Sequence, residues 1–160
     1  MASGKRKGRS GRQRRVVVVG LDGSRHASRV VAHLARWSGG GRAEVVRVVE
    51  PLRLPSLALI PLTVRGVLQR AARAELAARM RKARQEVQTA VMRLRRAGWM
   101  AHPVVRVGAP LPELLTAVRT ERANLLALGA RGSGSARRLL LGSVADGALK
   151  RAGVPVLIVK

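Results

Sequence analysis

The chain has 160 residues, the size of one domain or a domain with a tail, and 47% of them are apolar, which excludes wholesale disorder. Aromatics amount to 1%, Trp37 and Trp99 alone, and cysteine is absent, so disulfide scaffolds, thiol catalysis and cysteine-held metals are excluded together. Thirty-two Lys and Arg against eight Asp and Glu give a net charge of +24, a field that attracts polyanions such as nucleic acid, anionic membrane surfaces and nucleotides.

No apolar run reaches the length of a membrane span: Val16–Val19 and Leu57–Val64 are short, and Pro61 interrupts the second. The basic N-terminus lacks the apolar stretch of a secretory signal. The expectation is a soluble, cytoplasmic protein with no membrane partner. Residues 1–14 read as a flexible basic arm, and residues 15–160 as the folded domain. Lys5, Arg6, Lys7, Arg9, Arg12, Arg14 and Arg15 fall in the first fifteen positions among Gly and Ser with no acid. The arm could hold RNA or DNA through phosphates, although it has no aromatic for base stacking.

Arg15–Gly20 is a β-branched run without alternation, the pattern of a strand buried on both faces of a parallel sheet. Ser24 is placed to cap a helix with Ala27, Val30, Val31, Leu34 and Trp37 on one side, ended by the glycines up to Gly41. Glu44–Val49 reads as a second strand. Pro51–Thr63, with three prolines, reads as a loop. Arg65–Ala97 steps apolar residues by three or four (Leu68, Ala72, Leu76, Met80, Ala83, Val87, Val91, Leu94). Ten basic residues stand on the other faces of this long helix, and a solvated surface is the simplest use of them. His102–Val107 is a third strand, Leu111–Arg122 a helix with Pro112 in its first turn, and Asn124–Leu128 a fourth strand. The glycine-rich stretch Gly129–Gly142 follows, then a helix from Ser143 to Arg151 and a fifth strand, Pro155–Val159. Strands alternating with helices imply right-handed crossovers and an open five-stranded parallel α/β sheet with helices on both faces. Ligands in such sheets bind beyond the strands' carboxyl ends, where strand order reverses.

Two segments stand at strand carboxyl ends. One is Gly20-Leu21-Asp22-Gly23-Ser24; the other is Gly129-Ala130-Arg131-Gly132 with Gly142-Ser143 nine residues further on. Glycines let backbone N–H groups approach a phosphate and adopt positive φ, and the start of the following helix favours an anion. Arg131, Arg137 and Arg138 could neutralise phosphate charge, and Asp22 could face the loop, accepting ribose hydroxyls or holding a divalent metal. Read without a ligand, the same stretch is a connection with Ser143 as N-cap and Asp146 three residues on. It matches neither a Walker A loop nor a dinucleotide fingerprint. His26, His33 and His102 lack ligand spacing, and Ser24 and Ser143 have no paired His.

The combination resembles the universal stress protein family from about Arg15 to Lys160. Gly129, Gly132, Gly142 and Ser143 match that family's ATP-binding spacing G-x2-G-x9-G-(S/T). Asp22-Gly23-Ser24, Gly108-x-Pro110 and Val154–Val159 resemble its other hallmarks, whereas Asn124 stands where Asp is usual. The resemblance implies an adenine nucleotide alpha hydrolase-like sheet in order 3-2-1-4-5 and ATP between strands one and four. It also implies adenine near Asp22 and Val48, phosphates and ribose on the loop formed by Gly129, Arg131, Gly132, Gly142, Ser143 and Val144, and commonly a homodimer along strand five. With few general bases, the expectation is a nucleotide-dependent stress-response regulator binding ATP, with Mg or Mn, rather than an efficient enzyme. The alternative is a polyanion-binding protein that uses the arm and the long basic helix for RNA or DNA.

Overall fold

The valine run at the start of the domain forms β1 (Val16–Leu21), in which Val17, Val18 and Val19 expose no surface, as a strand covered on both faces requires. A computed structural model describes residues 15–37, 40–52, 61–132 and 141–160. The expected basic arm, residues 1–14, lies outside the described residues.

After β1, the Ser24 hydroxyl accepts from the Ala27 amide at 3.2 Å and starts α1 (Arg25–Leu34). Then follow β2 (Arg42–Val49), α2 (Leu62–Arg96), β3 (Met100–Val107), α3 (Pro110–Thr120), β4 (Leu125–Gly129), α4 (Ser143–Arg151) and β5 (Val156–Val159). All pairings are parallel and the sheet order is β3-β2-β1-β4-β5, the order expected.

The differences from the sequence reading are local. Helix α2 starts at Leu62, so the end of the expected loop is helical; Pro61, extended at φ −53° and ψ 139°, ends the proline-rich stretch immediately before it. Strands β2 and β3 each begin two residues earlier than periodicity indicated, because pairing with β1 and with each other carries the ladder past their apolar residues to Arg42 and Met100. Trp37 lies beyond α1 yet still packs on the core, edge-on to His33 at 5.9 Å and beneath the Arg15 guanidinium at 5.7 Å.

Alternate strand residues serve two cores. Val17, Val19, Ala43 and Val45 meet Val30 and Leu34 of α1 and Val87, Val91 and Leu94 of α2. Val18, Val46, Val48, Leu126 and Leu128 meet Leu111, Leu114 and Ala117 of α3 and Ala148 of α4. Burying each such Val or Leu stabilises the fold by roughly 1.5–3 kcal/mol. The indole N–H of buried Trp99 donates to the Leu34 carbonyl at 3.1 Å, fixing the end of α1 to the turn before β3. Asn124 joins β4 to β1: its Oδ1 accepts from the Val16 amide at 3.1 Å and its own amide donates to the Val16 carbonyl at 2.9 Å.

One carboxyl enters the interior. Glu44 of β2 is 9% exposed, on the face covered by α3, and burial first, then the neighbouring Glu121 carboxyl, push it up to about 7. Glu121 in turn binds Arg42 at 2.7 Å, and Arg42 also donates to the Glu121 carbonyl at 2.9 Å. This cluster sits at the amino-terminal end of β2, away from the strands' carboxyl ends. No helix among the described residues is long and apolar enough to cross a membrane.

Candidate functional site

Strand order reverses between β1 and β4, and the connections leaving them diverge to opposite faces of the sheet. A crevice of about 420 Å³ opens there. Its floor and one wall are apolar: Leu21, Val48, Leu114 and Leu128. Its other wall is Gly129, Arg131, Gly132, Gly142, Ser143 and Val144, and Asp22 lies between the two. All eight expected binding residues therefore line one cavity. Arg137 and Arg138 lie outside the described residues.

Hydrogen bonds tie the two strand-end segments together. The Ser24 hydroxyl donates to the Arg131 carbonyl at 3.2 Å, and the Gly142 amide donates to the Ala130 carbonyl at 2.8 Å. Asp22 Oδ1 accepts from the Ser24 amide at 2.9 Å, which points its carboxylate along the mouth of the crevice. A Cβ added at Gly132 would lie 2.7 Å from Asp22 Oδ2, so the bare backbone there leaves room for the acid to face the loop, as expected.

Ser143 differs from the ligand-free reading. The N-cap of α4 is Gly142, extended at φ −75° and ψ 157°, and no side chain caps the helix. The chain is already helical at Ser143, so its hydroxyl is not at the capping position, and Asp146 pairs with Lys150 at 2.8 Å instead. The first-turn amides of α4 thus face the crevice wall without a cap from their own helix. Positive φ, a second expectation for the loop glycines, is found at Gly23 (φ 79°) but not at Gly129, Gly132 or Gly142, whose value is the space left by a missing Cβ.

The lining residues that were not among the expected binding residues include Arg47, Glu50 and Leu114. Arg47 offered a signal, a cation inside the apolar strand Glu44–Val49. Its Nε donates to Glu86 Oε2 of α2 at 3.1 Å, and its Nη1 lies 3.4 Å from the Val48 carbonyl and 3.5 Å from that of Leu21. It braces the carboxyl ends of β1 and β2 against the long helix.

Comparison with known proteins agrees with this architecture. The model of the universal stress protein family matches residues 13–160. The chain belongs to the universal stress protein family. A universal stress protein from Thermus aquaticus, encoded beside a QAH/OAS sulfhydrylase, is 31% identical over 150 residues, 91% of this chain and 98% of that one. Universal stress protein MJ0531 of Methanocaldococcus jannaschii is 36% identical over a shorter stretch of 63 residues, 39% of this chain and 37% of the relative's length. Among solved structures, protein MJ0577 superposes with a TM-score of 0.74 at 18% identity, over 91% of this chain and 95% of that one. A universal stress protein in complex with cAMP (TM-score 0.59, 23% identity, 91% and 96% coverage) and an Arabidopsis thaliana family protein with AMP bound (0.60, 16%, 91% and 91%) share the fold.

In this universal stress protein the loop glycines divide by role. A Cβ at Gly129 would stand 2.8 Å from His26 Cβ and 3.0 Å from the Ala27 amide nitrogen, so Gly129 admits α1 against β4. A Cβ at Gly142 would meet protein atoms only at 3.4 Å or more, an ordinary contact. Gly129→Ala is therefore expected to lower stability by about 1–3 kcal/mol, because helix backbone cannot yield as a side chain does. Urea unfolding checks this, and an unchanged midpoint would remove the packing role.

Proposed function

We propose that this universal stress protein binds an adenine nucleotide, ATP foremost, and acts as a nucleotide-dependent regulator of a stress response. The observation that carries the reading is the division of the crevice into an apolar half and a half made of bare backbone at an uncapped helix start. That division matches a molecule with a flat base at one end and phosphates at the other. Val48, Leu21 and Leu114 would hold the adenine. Gly132, Gly142, Ser143 and Val144 would receive the phosphates, with Arg131 beside them. Asp22 would accept the ribose hydroxyls or hold Mg2+ or Mn2+ against the phosphates. AMP and cAMP in the two fold relatives support an adenine nucleotide as the ligand class.

The residues fit the nucleotide by their chemistry, since bare backbone at Gly132 leaves the Asp22 carboxylate facing the loop and the crevice joins an apolar side to a glycine-lined helix start. The regulator reading, rather than an efficient enzyme, follows from the chain's few acids and scattered histidines. The edge strand β5 pairs with β4 on one side, and its Val156, Leu157, Ile158 and Val159 are all partly exposed, which favours a homodimer along it. The protein is read as cytoplasmic.

Titration calorimetry with ATP, ADP, AMP and cAMP, with and without Mg2+ or Mn2+, tests the proposal, as does mass spectrometry of nucleotide that co-purifies. Gly132→Val, which displaces Asp22, is expected to weaken binding at least about tenfold, the equivalent of 1.4 kcal/mol. Absence of heat with every nucleotide and metal would overturn the reading.

A further inference from the structure

We infer that the part of α2 up to Arg84 is a docking surface for the phosphodiester backbone of a nucleic acid. Helix α2 runs antiparallel to the strands and returns from the carboxyl end of β2 to the start of β3. Glu86 marks where it passes the sheet's edge, because its carboxylate reaches Arg47 near the end of β2 and lies beside Gly23, beyond β1. The stretch Leu62–Lys82, before the first buried residue of the helix, therefore extends about 30 Å on the same end as the crevice, at 1.5 Å per residue. No described side chain from Thr63 to Lys82 is buried, whereas Ala83, Val87, Ala90, Val91 and Leu94 all are. A helical extension that contributes so little to the core is built to meet something else.

Its charge says what. Leu62–Lys82 carries Arg65, Arg70, Arg73, Arg79, Arg81 and Lys82 against Glu75 alone, and Glu75 is taken by Arg79 at 2.8 Å. Arg70, Arg73, Arg81 and Arg84 are exposed, and no described carboxylate lies within ion-pair distance of them. At 3.6 residues per turn these four occupy about 80° of the helix circumference over an axial run of about 21 Å, a row of cations along one flank. Such a row tracks a chain of regularly spaced phosphates. The same flank of a second copy is disfavoured as the occupant, because it would set this row of cations against an identical row. A membrane surface is disfavoured because the helix has no aromatic, and because Arg65 and Arg79 stand on the same side as Leu68, Ala72 and Leu76. Without aromatics the contact is to backbone only, so binding is independent of sequence and steeply salt-dependent.

The test uses the full chain without nucleotide, with a labelled 20-nucleotide single-stranded RNA and a 20-base-pair DNA duplex, read by anisotropy from 50 to 300 mM salt. The variant Arg70→Gln/Arg73→Gln/Arg81→Gln/Arg84→Gln keeps helix-forming residues, and circular dichroism verifies it. If that variant misfolds, Arg70→Gln/Arg81→Gln replaces it, with half the effect expected. The control, Arg29→Gln/Arg36→Gln/Arg119→Gln/Arg151→Gln, removes the same charge from exposed positions outside α2. The α2 variant should lose about tenfold or more in affinity, with a salt slope shallower by about 3, while the control keeps the wild-type slope. The proposal is overturned if both variants lose equally, if the α2 variant binds as wild type does, or if no nucleic acid binds. Equal affinity for polyglutamate or for anionic vesicles at the same salt would also overturn it, by assigning the surface to an acidic protein or a lipid.

Discussion

Gly142→Asp is expected to fold at least as stably as wild type and to lose adenine-nucleotide affinity by about a hundredfold or more. Both halves follow from one position. Gly142 is the N-cap of α4, in the extended conformation that capping residues adopt, and a Cβ there makes only ordinary contacts. Aspartate is among the best N-caps and would accept from the first-turn amides, contributing about 0.5–2 kcal/mol to the helix. The same carboxylate would then occupy the amides proposed for phosphate and set a negative charge against the ligand's own. Differential scanning fluorimetry gives the first quantity and titration calorimetry with ATP the second. Wild-type ATP affinity in this variant would move the phosphates away from α4, and a large fall in melting temperature would show that the loop cannot accept a side chain.

Glu44→Gln is expected to melt higher than wild type at pH 8 and at nearly the same temperature at pH 4.5. Glu44 is raised from an unfolded value near 4.5 to about 7 in the fold, so over that interval the folded chain keeps a proton that the unfolded chain has released. Stability therefore falls as pH rises from about 4.5 to 7 and levels off above. The difference of about 2.5 pH units corresponds to at most ~3.4 kcal/mol at 1.36 kcal/mol per unit. The groups that face Glu44 are Glu121 at the end of α3, which raises it, and Arg42 and Arg106, which lower it; His102 stands opposite it in the β2–β3 register. Glutamine keeps a donor toward the Glu121 carboxylate without the ionisation, so the variant should gain about 2 kcal/mol at pH 8, roughly 4–8 °C for a chain of this size. Parallel pH dependences for the two proteins would show that Glu44 ionises as freely in the fold as in the unfolded chain.

Linear order was enough for the element sequence and for bringing the candidate site residues to one cavity. An unbroken valine run such as Val16–Val19 has one stable use, burial on both faces. Strands separated by helices then leave a parallel sheet, whose ligand end is the end where Asp22 and Gly129 stand. The spacing from Gly129 to Ser143 picks out residues that line one wall of the crevice. Which glycine serves packing and which serves the cavity was not legible, because that depends on how near α1 comes to β4 and how near Asp22 comes to Gly132. The shift of the N-cap from Ser143 to Gly142 likewise depends on the Gly142 amide reaching the Ala130 carbonyl, a contact closed across the intervening loop.

Chain order by itself thus determined the fold class and the end of the sheet that carries the candidate site, since periodicity and glycine placement are local properties of the polymer. Only the tertiary structure decided that Arg47 braces the crevice through Glu86, thirty-nine residues away, that Glu44 meets Glu121, and that α2 buries no described side chain from Thr63 to Lys82. Those are facts of distance between remote segments, and electrostatic and packing energies depend on distance in space rather than on separation along the chain.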